Sequence, residues 1–216
     1  MDAINIIALS MGAAWASGIN LYATVVMLGY MGITGNIDLP PELEILSNPM
    51  VMGAAALMYC IEFFADKIPG VDSGWDTIHT FIRIPAGAML AAGAIGDVTP
   101  AIELTTALLG GTLAAGSHTT KAGSRLLINT SPEPFSNWIA SISEDLLVIG
   151  GLWAALHHPV SFIIGLIIFI VLMIWLLPRL WRLTIHIFRR IGGWLGLCEA
   201  PQLLSSVTAD NTDKAI

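Results

Sequence analysis

The sequence predicts an all-α integral membrane protein of about six transmembrane helices. These are expected as two inverted three-helix repeats with interrupted or re-entrant helices, followed by a C-terminal amphipathic helix. Three observations carry the expectation. Hydrophobic residues make up 55% of the 216 and charged residues only 12%, about half the charged fraction of a soluble domain, and mean hydropathy is +0.76. The nine Lys and Arg residues fall where six spans put them all on one side of a bilayer. Two segments, beginning at Gly18 and at Gly116, echo one another.

Taken in order, the first span covers residues 4–31, longer than the ~20 residues a bilayer needs. It is interrupted at Ala16-Ser17-Gly18-Ile19-Asn20, with Tyr22 and Thr24 following. Only Asp2 precedes its apolar run and no cleavage site ends it, so it reads as a retained span rather than a cleaved signal peptide. A polar connection with Pro40, Pro41, Glu42 and Glu44 leads to span two, residues 50–65. Span three, residues 78–96, holds Arg83 and Pro85. Span four starts at residue 101 and passes Gly110-Gly111 into a polar run over residues 116–125, and a Pro-containing connection, residues 129–134, follows. Span five, residues 138–156, carries Glu144 and Asp145 near its middle, and span six, residues 160–177, is uniformly apolar. Residues 178–198 mix Trp181, Ile185, Phe188 and Trp194 with four Arg and read as a helix lying on an anionic leaflet. The polar tail, residues 199–216, is expected to be disordered.

Basic residues set the orientation. Lys67, Arg83, Lys121 and Arg125 fall at the second and fourth connections, and the other five follow span six. Both termini are therefore expected in the cytoplasm. The repeat would pair residues 1–97 with residues 98–177. Each half has a Gly-led polar segment, a Pro-rich connection, then Ser-Asn entering a span (Ser47-Asn48 and Ser136-Asn137). Three spans per half invert one half relative to the other, the pattern of many secondary transporters.

The stretch 62–83 sets Glu62, Asp66, Lys67, Asp72, Asp76, His79 and Arg83 between two apolar runs. Asp72, Asp76, His79 and Arg83 line one helical face, and Glu62 and Asp66 lie one turn apart. Asp76 and His79 are candidates for a proton-relay pair or a structural hydrogen bond. A mid-span carboxylate costs about 2.5–3.5 kcal/mol on insertion scales, so Glu144 and Asp145 need partners, protons or a watery cavity. Asn137, Ser141 and Asp145 form a polar stripe along one face. His118, Lys121 and Arg125 share another and suit an anion or the acids themselves. An opened helix at Asn20, Tyr22 and Thr24 would offer carbonyls and an amide to Na⁺ or a small polar substrate. The substrate-binding candidates are thus Asn20, Tyr22, Thr24, His118, Lys121, Arg125, Asn129 and Ser141. Coupling-ion or proton candidates are Glu62, Asp66, Asp72, Asp76, His79, Arg83, Glu144 and Asp145. For each the plain alternative is a structural ion pair, snorkelling to headgroups or helix packing.

Other classes find little support. A net charge of −7 leaves no basic surface for nucleic acid. Cys60 and Cys198 make no framework, His157-His158 is isolated, and no metal, phosphate-loop or nucleophile motif is present. Neither enzymatic activity, a cofactor nor a bound metal is expected.

The runs N-L-Y at Asn20, E-F-x-A-D-K-I-P at Glu62, D-S-x-W-D-x-I-H-T-F-I-R at Asp72, K-A-x-S-R at Lys121, N-T-S-P-E-P at Asn129 and S-x-x-E-D at Ser141 resemble a bacterial membrane family, domain of unknown function four-one-two-six. The likeness covers residues 4–170 and implies the bacterial inner membrane, but no activity. The architecture also resembles small inverted-repeat flippases of the DedA type, whose own motifs are absent. The expected function is a small secondary transporter coupled to H⁺ or Na⁺, with Lys121 and Arg125 meeting the phosphate or carboxylate of an anionic substrate. Alternatives are an ion channel, a flippase or scramblase for a polyprenyl-phosphate type of lipid, and a membrane assembly factor that transports nothing. Expected partners are the bilayer and the substrate or lipid headgroup, and six short spans are compatible with a homodimer.

Overall fold

In lipid a backbone must satisfy its own hydrogen bonds, so long apolar runs become helices. The computed structural model describes residues 2–68, 70–129 and 134–194, with side chains as far as residue 183, residue 134 excepted, and at residue 185. Six α-helices follow in order: α1 (Ala3–Ile33), α2 (Pro49–Ala65), α3 (Val71–Ile95), α4 (Pro100–Ile128), α5 (Pro134–His157) and α6 (Pro159–Trp194). A 3-10 segment, Pro41–Ser47, precedes α2, and no strand occurs among the described residues.

Local chemistry sets the boundaries. Asn48 Oδ1 accepts from the Met50 amide at 2.9 Å, with Pro49 in the first helical position, a strong start signal for α2. Gly70, with φ +88°, turns the chain into α3, and Gly96, with φ +73°, ends it. Both need the left-handed region that glycine enters freely. The α5 helix begins at Pro134, so Asn137, expected at its entrance, lies inside it.

α1, α3, α5 and α6 (as Pro159–Leu183) are long and apolar enough to cross a membrane, and the 3-10 segment with α2, bent by 64°, would make a fifth. α4 misses that measure because Thr, Ser, His118, Lys121 and Arg125 dilute its apolar residues. Two expectations about continuity differ from the structure. The interruption expected near Gly116 is absent, since α4 is regular from Pro100 to Ile128. The helix expected to begin at residue 178 is a continuation of α6, which runs through Pro178 to Trp194. Residues 195–216, including the tail, lie outside the described residues.

Chain compactness divides at Leu180. Within the first unit, α1 is the most buried helix and packs on α3, α4 and α5. Its inner surface is small: Ala8, Ala13, Ala14, Ala16, Ser17 and Gly18 are all buried. A Cβ on Gly87 would overlap Ala114, and one on Gly110 would overlap Ala91. Small residues thus let α1, α3 and α4 approach closely, as membrane helices do. Trp15 meets Phe162 and Phe169 edge-on at 6.0 and 5.9 Å. The outside is apolar, with Met50, Phe81, Phe135 and Met89 largely exposed, whereas Glu62, Asp72, Asp76, Arg83 and Arg125 are buried. That inversion of the soluble pattern suits a bilayer as solvent. In the second unit, Trp181 and Leu183 near the end of α6 are exposed.

Candidate functional site

Three cations and four carboxylates from α2, α3, α4 and α5 converge in one buried cluster. Arg83 Nη2 donates to Glu62 Oε1 at 2.5 Å, and its Nη1 to Asp76 Oδ1 at 3.1 Å. Lys121 Nζ sits among Asp66 (3.0 Å), Glu62 (3.3 Å), Glu144 (3.5 Å) and Asp76 (3.8 Å). Arg125 grips Glu144 through two bonds, Nη2 to Oε2 at 2.7 Å and Nε to Oε1 at 3.1 Å, and reaches Asp66 at 3.5 Å. This fork geometry is what arginine supplies and lysine does not. Arg125 Nη1 also donates to the carbonyls of Asp66 and Asn137. Helical spacing explains the convergence: Glu62 and Asp66, Asp76 and Arg83, and Lys121 and Arg125 are one or two turns apart on their own helices.

Four acids thus face three bases in the cluster. Glu62 Oε2, Asp66 Oδ1 and Asp76 Oδ2 are buried without a hydrogen-bond partner. Burying a charge without full pairing is costly.

The cluster abuts a break in α1. Asn20 leaves the helical region, with φ −146° and ψ 97°. The Ala23 amide, which in a continuous helix would bond the Ile19 carbonyl, instead donates to Asn20 Oδ1 at 2.9 Å. Asn20 thus acts as an N-cap for the second half of the helix. The freed Ile19 carbonyl accepts from Lys121 Nζ at 3.2 Å. Thr24 Oγ1 donates to the Asn20 carbonyl, and Ser117 Oγ to that of Trp15.

Two further acids have no cation in contact among the described residues. Asp72 accepts from the backbone amides of Gly70 and Ser73, from the Ser73 hydroxyl, and through both oxygens from Asn129 Nδ2 at 2.9 Å. Asn129 in turn accepts from Asn137 Nδ2 at 2.8 Å. Asp145 has two neutral donors, Asn20 Nδ2 at 3.0 Å on Oδ1 and the Tyr59 hydroxyl at 3.1 Å on Oδ2. Ser141 is buried one turn from both Asn137 and Asp145 on α5.

The two histidines are fixed by their neighbours. His79 Nδ1 lies 2.9 Å from the Trp75 carbonyl, which can only accept, so that nitrogen carries a proton. Its Nε2 meets the Tyr22 hydroxyl at 3.0 Å, and the ring stacks on Trp75 at 4.3 Å. His79 therefore pairs with Tyr22, while Asp76 goes to Arg83. His118 Nδ1 faces the donor Arg83 Nη1 at 3.2 Å, which places its proton on Nε2, 2.7 Å from Thr80 Oγ1. Lys67, outside the helices, lies over the Phe63 ring, and burial pulls its ammonium below the usual lysine range.

Of the sixteen candidates read from the sequence, Glu62, Asp66, Asp76, Arg83, Lys121, Arg125 and Glu144 form the cluster, with His118 attached through Arg83. Asn20, Thr24 and Asp145 form the adjoining break; Tyr22 and His79 make a separate pair; Asp72 and Asn129 make a third group; and Ser141 is buried on α5 one turn from Asp145. Tyr59, Trp75, Thr80 and Ser117 were not among the candidates. Tyr59 stands one turn before Glu62 and Thr80 one turn after Asp76, so helical spacing from the acids was the available signal.

No curated protein and no solved structure matches the chain. A family model matches residues 7–179, which include every residue of the cluster. The chain belongs to the family described as domain of unknown function DUF4126.

Proposed function

We propose that this protein is a small secondary transporter of the bacterial inner membrane, six spans in two inverted three-helix repeats, coupled to H⁺ or Na⁺. The observation that carries the reading is the surplus-acid cluster beside the α1 break, inside a bundle whose outside is apolar. A static core would be more stable with matched or apolar residues there. Neutralising one acid, by a proton or a cation, lets a base change partners. Glu144, the most accessible acid of the cluster at 14%, is the natural one to release Arg125 to a phosphate or carboxylate on the substrate.

The repeat is supported by the contact of its two echoing segments. Gly18 lies against Ser117 and the Ala114 backbone so closely that no Cβ fits. The intact α4 means that only the α1 member is opened. The test is flux: protein reconstituted in liposomes, loaded with a panel of small carboxylates and phosphate esters, should move one of them under an imposed pH or Na⁺ gradient. Absence of gradient-driven movement across the panel would overturn the reading.

One observation favours a lipid flippase or scramblase as the second reading. An apolar groove of about 400 Å³ between α5 and α6 is floored by Trp15 and widened by Gly150 and Gly165. It begins at Leu146, next to Asp145. Scrambling of a labelled lipid in the same liposomes, independent of any gradient, would favour this reading over the first.

A further inference from the structure

We infer that Asp145 is a proton-binding group of this site, separate from the Glu144 that holds Arg125, and that the Asn20 carboxamide passes its protonation state to the break in α1. The inference rests on the transport reading for its purpose, but its chemistry stands on the geometry. Among the described residues, Asp72 and Asp145 are the acids of the site with no cation within 4 Å. Asp72 sits in the first turn of α3 and accepts from two backbone amides, a hydroxyl and an Asn amide. These donors, at a helix N-terminus, already occupy both of its oxygens. Asp145 has one neutral donor per oxygen and sits mid-helix, where neither terminus helps it.

The donors also choose the ligand. A Na⁺ ion wants oxygen acceptors around it. Asp145 is met by an N–H and an O–H, and Asn20 cannot turn its oxygen over because Oδ1 holds the Ala23 amide. A proton needs only one reorientation: the Tyr59 hydroxyl rotates from donating to accepting from Oδ2. The titratable and charged groups around Asp145 are Tyr59, Glu62, Asp66 and Lys67 from α2 and its exit, Lys121 from α4, and Glu144 on its own helix. From α1 it meets the neutral Asn20.

Transmission follows from Asn20 having two jobs. One end caps Ala23 and the other bonds Asp145, so the carboxamide is clamped between α1 and α5. A hydrogen bond to a charged acceptor is about twice as strong as one to a neutral acceptor. Neutralising Asp145 therefore loosens the clamp, and with it the cap that holds the second half of α1 in place.

The test uses the full chain in nanodiscs. Infrared difference spectra between alkaline and acidic buffer should show the carbonyl stretch of a protonated carboxylic acid, lost in Asp145→Asn. Tyr59→Phe, which keeps the ring, should shift that band's frequency because the acid loses its hydroxyl partner. At one fixed alkaline pH, hydrogen exchange at the Ala23 amide should be about tenfold faster in Asp145→Asn than in the wild type, with Gly12 and Ala13 as internal references. In an Asn20→Ala background the same substitution should add nothing. A band unchanged in both variants, or Ala23 exchange unmoved by Asp145→Asn, would overturn the inference. Spectra as expected with no flux in liposomes would leave the inference standing and remove the transport reading. Gradient-driven flux with the band unchanged would do the reverse.

Discussion

Lys121 of α4 donates to the main-chain carbonyl of Ile19 in α1, 3.2 Å away. That carbonyl is free because Asn20 has taken the Ala23 amide for its own side chain. One ammonium thus satisfies the break in one helix and the surplus acids of three others. Lys121→Met keeps most of the volume and removes both functions. Breaking a buried pair by deleting one partner costs about 3–5 kcal/mol. Lys121→Met should therefore lower the melting temperature of the purified protein sharply, by more than any substitution at the half-buried Lys67 contact with Phe63. An unchanged melting temperature would mean that water already reaches this cluster.

Arg83→Lys should behave as a disruptive change. The guanidinium holds Glu62 with one nitrogen and both Asp76 and His118 with the other. A single ammonium cannot span the three, and it also leaves the His118 tautomer unfixed. A loss of about 2–4 kcal/mol is expected. Arg179→Lys, at an exposed arginine bonded to the Trp175 carbonyl, should change stability by under about 0.5 kcal/mol. Thermal or denaturant unfolding in detergent compares the two.

Glu144→Gln separates the proposed transport from a scaffolding role. The cluster has one acid more than its bases need, and a Gln side-chain oxygen can still accept from Arg125. Stability and membrane abundance should stay within about 1 kcal/mol of wild type, while gradient-driven flux in liposomes should be lost. If abundance in the membrane collapses instead, Glu144 holds the bundle together, as the assembly-factor reading requires.

Much of this arrangement is legible along the sequence because helices convert spacing into faces. Asp76 and Arg83 at two turns, and Lys121 and Arg125 at one, had to share a side of their own helices. The Gly18–Thr24 segment was legible as a break because Gly, Ser and Asn cluster in an otherwise apolar run. What spacing cannot give is the partner across helices. His79 stands one turn from Asp76, yet it meets Tyr22, because α1 supplies a hydroxyl nearer to its ring. The matching run in α4 is as polar and as Gly-rich, but it stays helical. There Thr119 and Thr120 return their hydroxyls to carbonyls one turn back, at 2.7 and 2.8 Å, so no side chain competes for a backbone amide as Asn20 does. Continuity of α6 through Pro178 was likewise hidden, since proline in the sequence argues for a boundary.

Gly18 offers the sharpest test of how the two echoing segments meet. In an isolated helix, Gly→Ala stabilises by about 0.8–1.0 kcal/mol. Here a Cβ would overlap Ser117 Oγ and press on the Ala114 carbonyl oxygen, which is backbone and cannot swing aside. The steric cost should win, with Gly18→Ala destabilising by about 1–3 kcal/mol. Ser117→Gly in the same chain removes only the side-chain half of the overlap, so rescue should be partial. Gly53 is the control: it lies in α2 with nothing within 4 Å of where its Cβ would stand. Gly53→Ala should therefore stabilise by roughly 0.5–1 kcal/mol. If both substitutions stabilise alike, α1 and α4 do not pack at Gly18, and the close crossing of the two echoing segments would have to be given up.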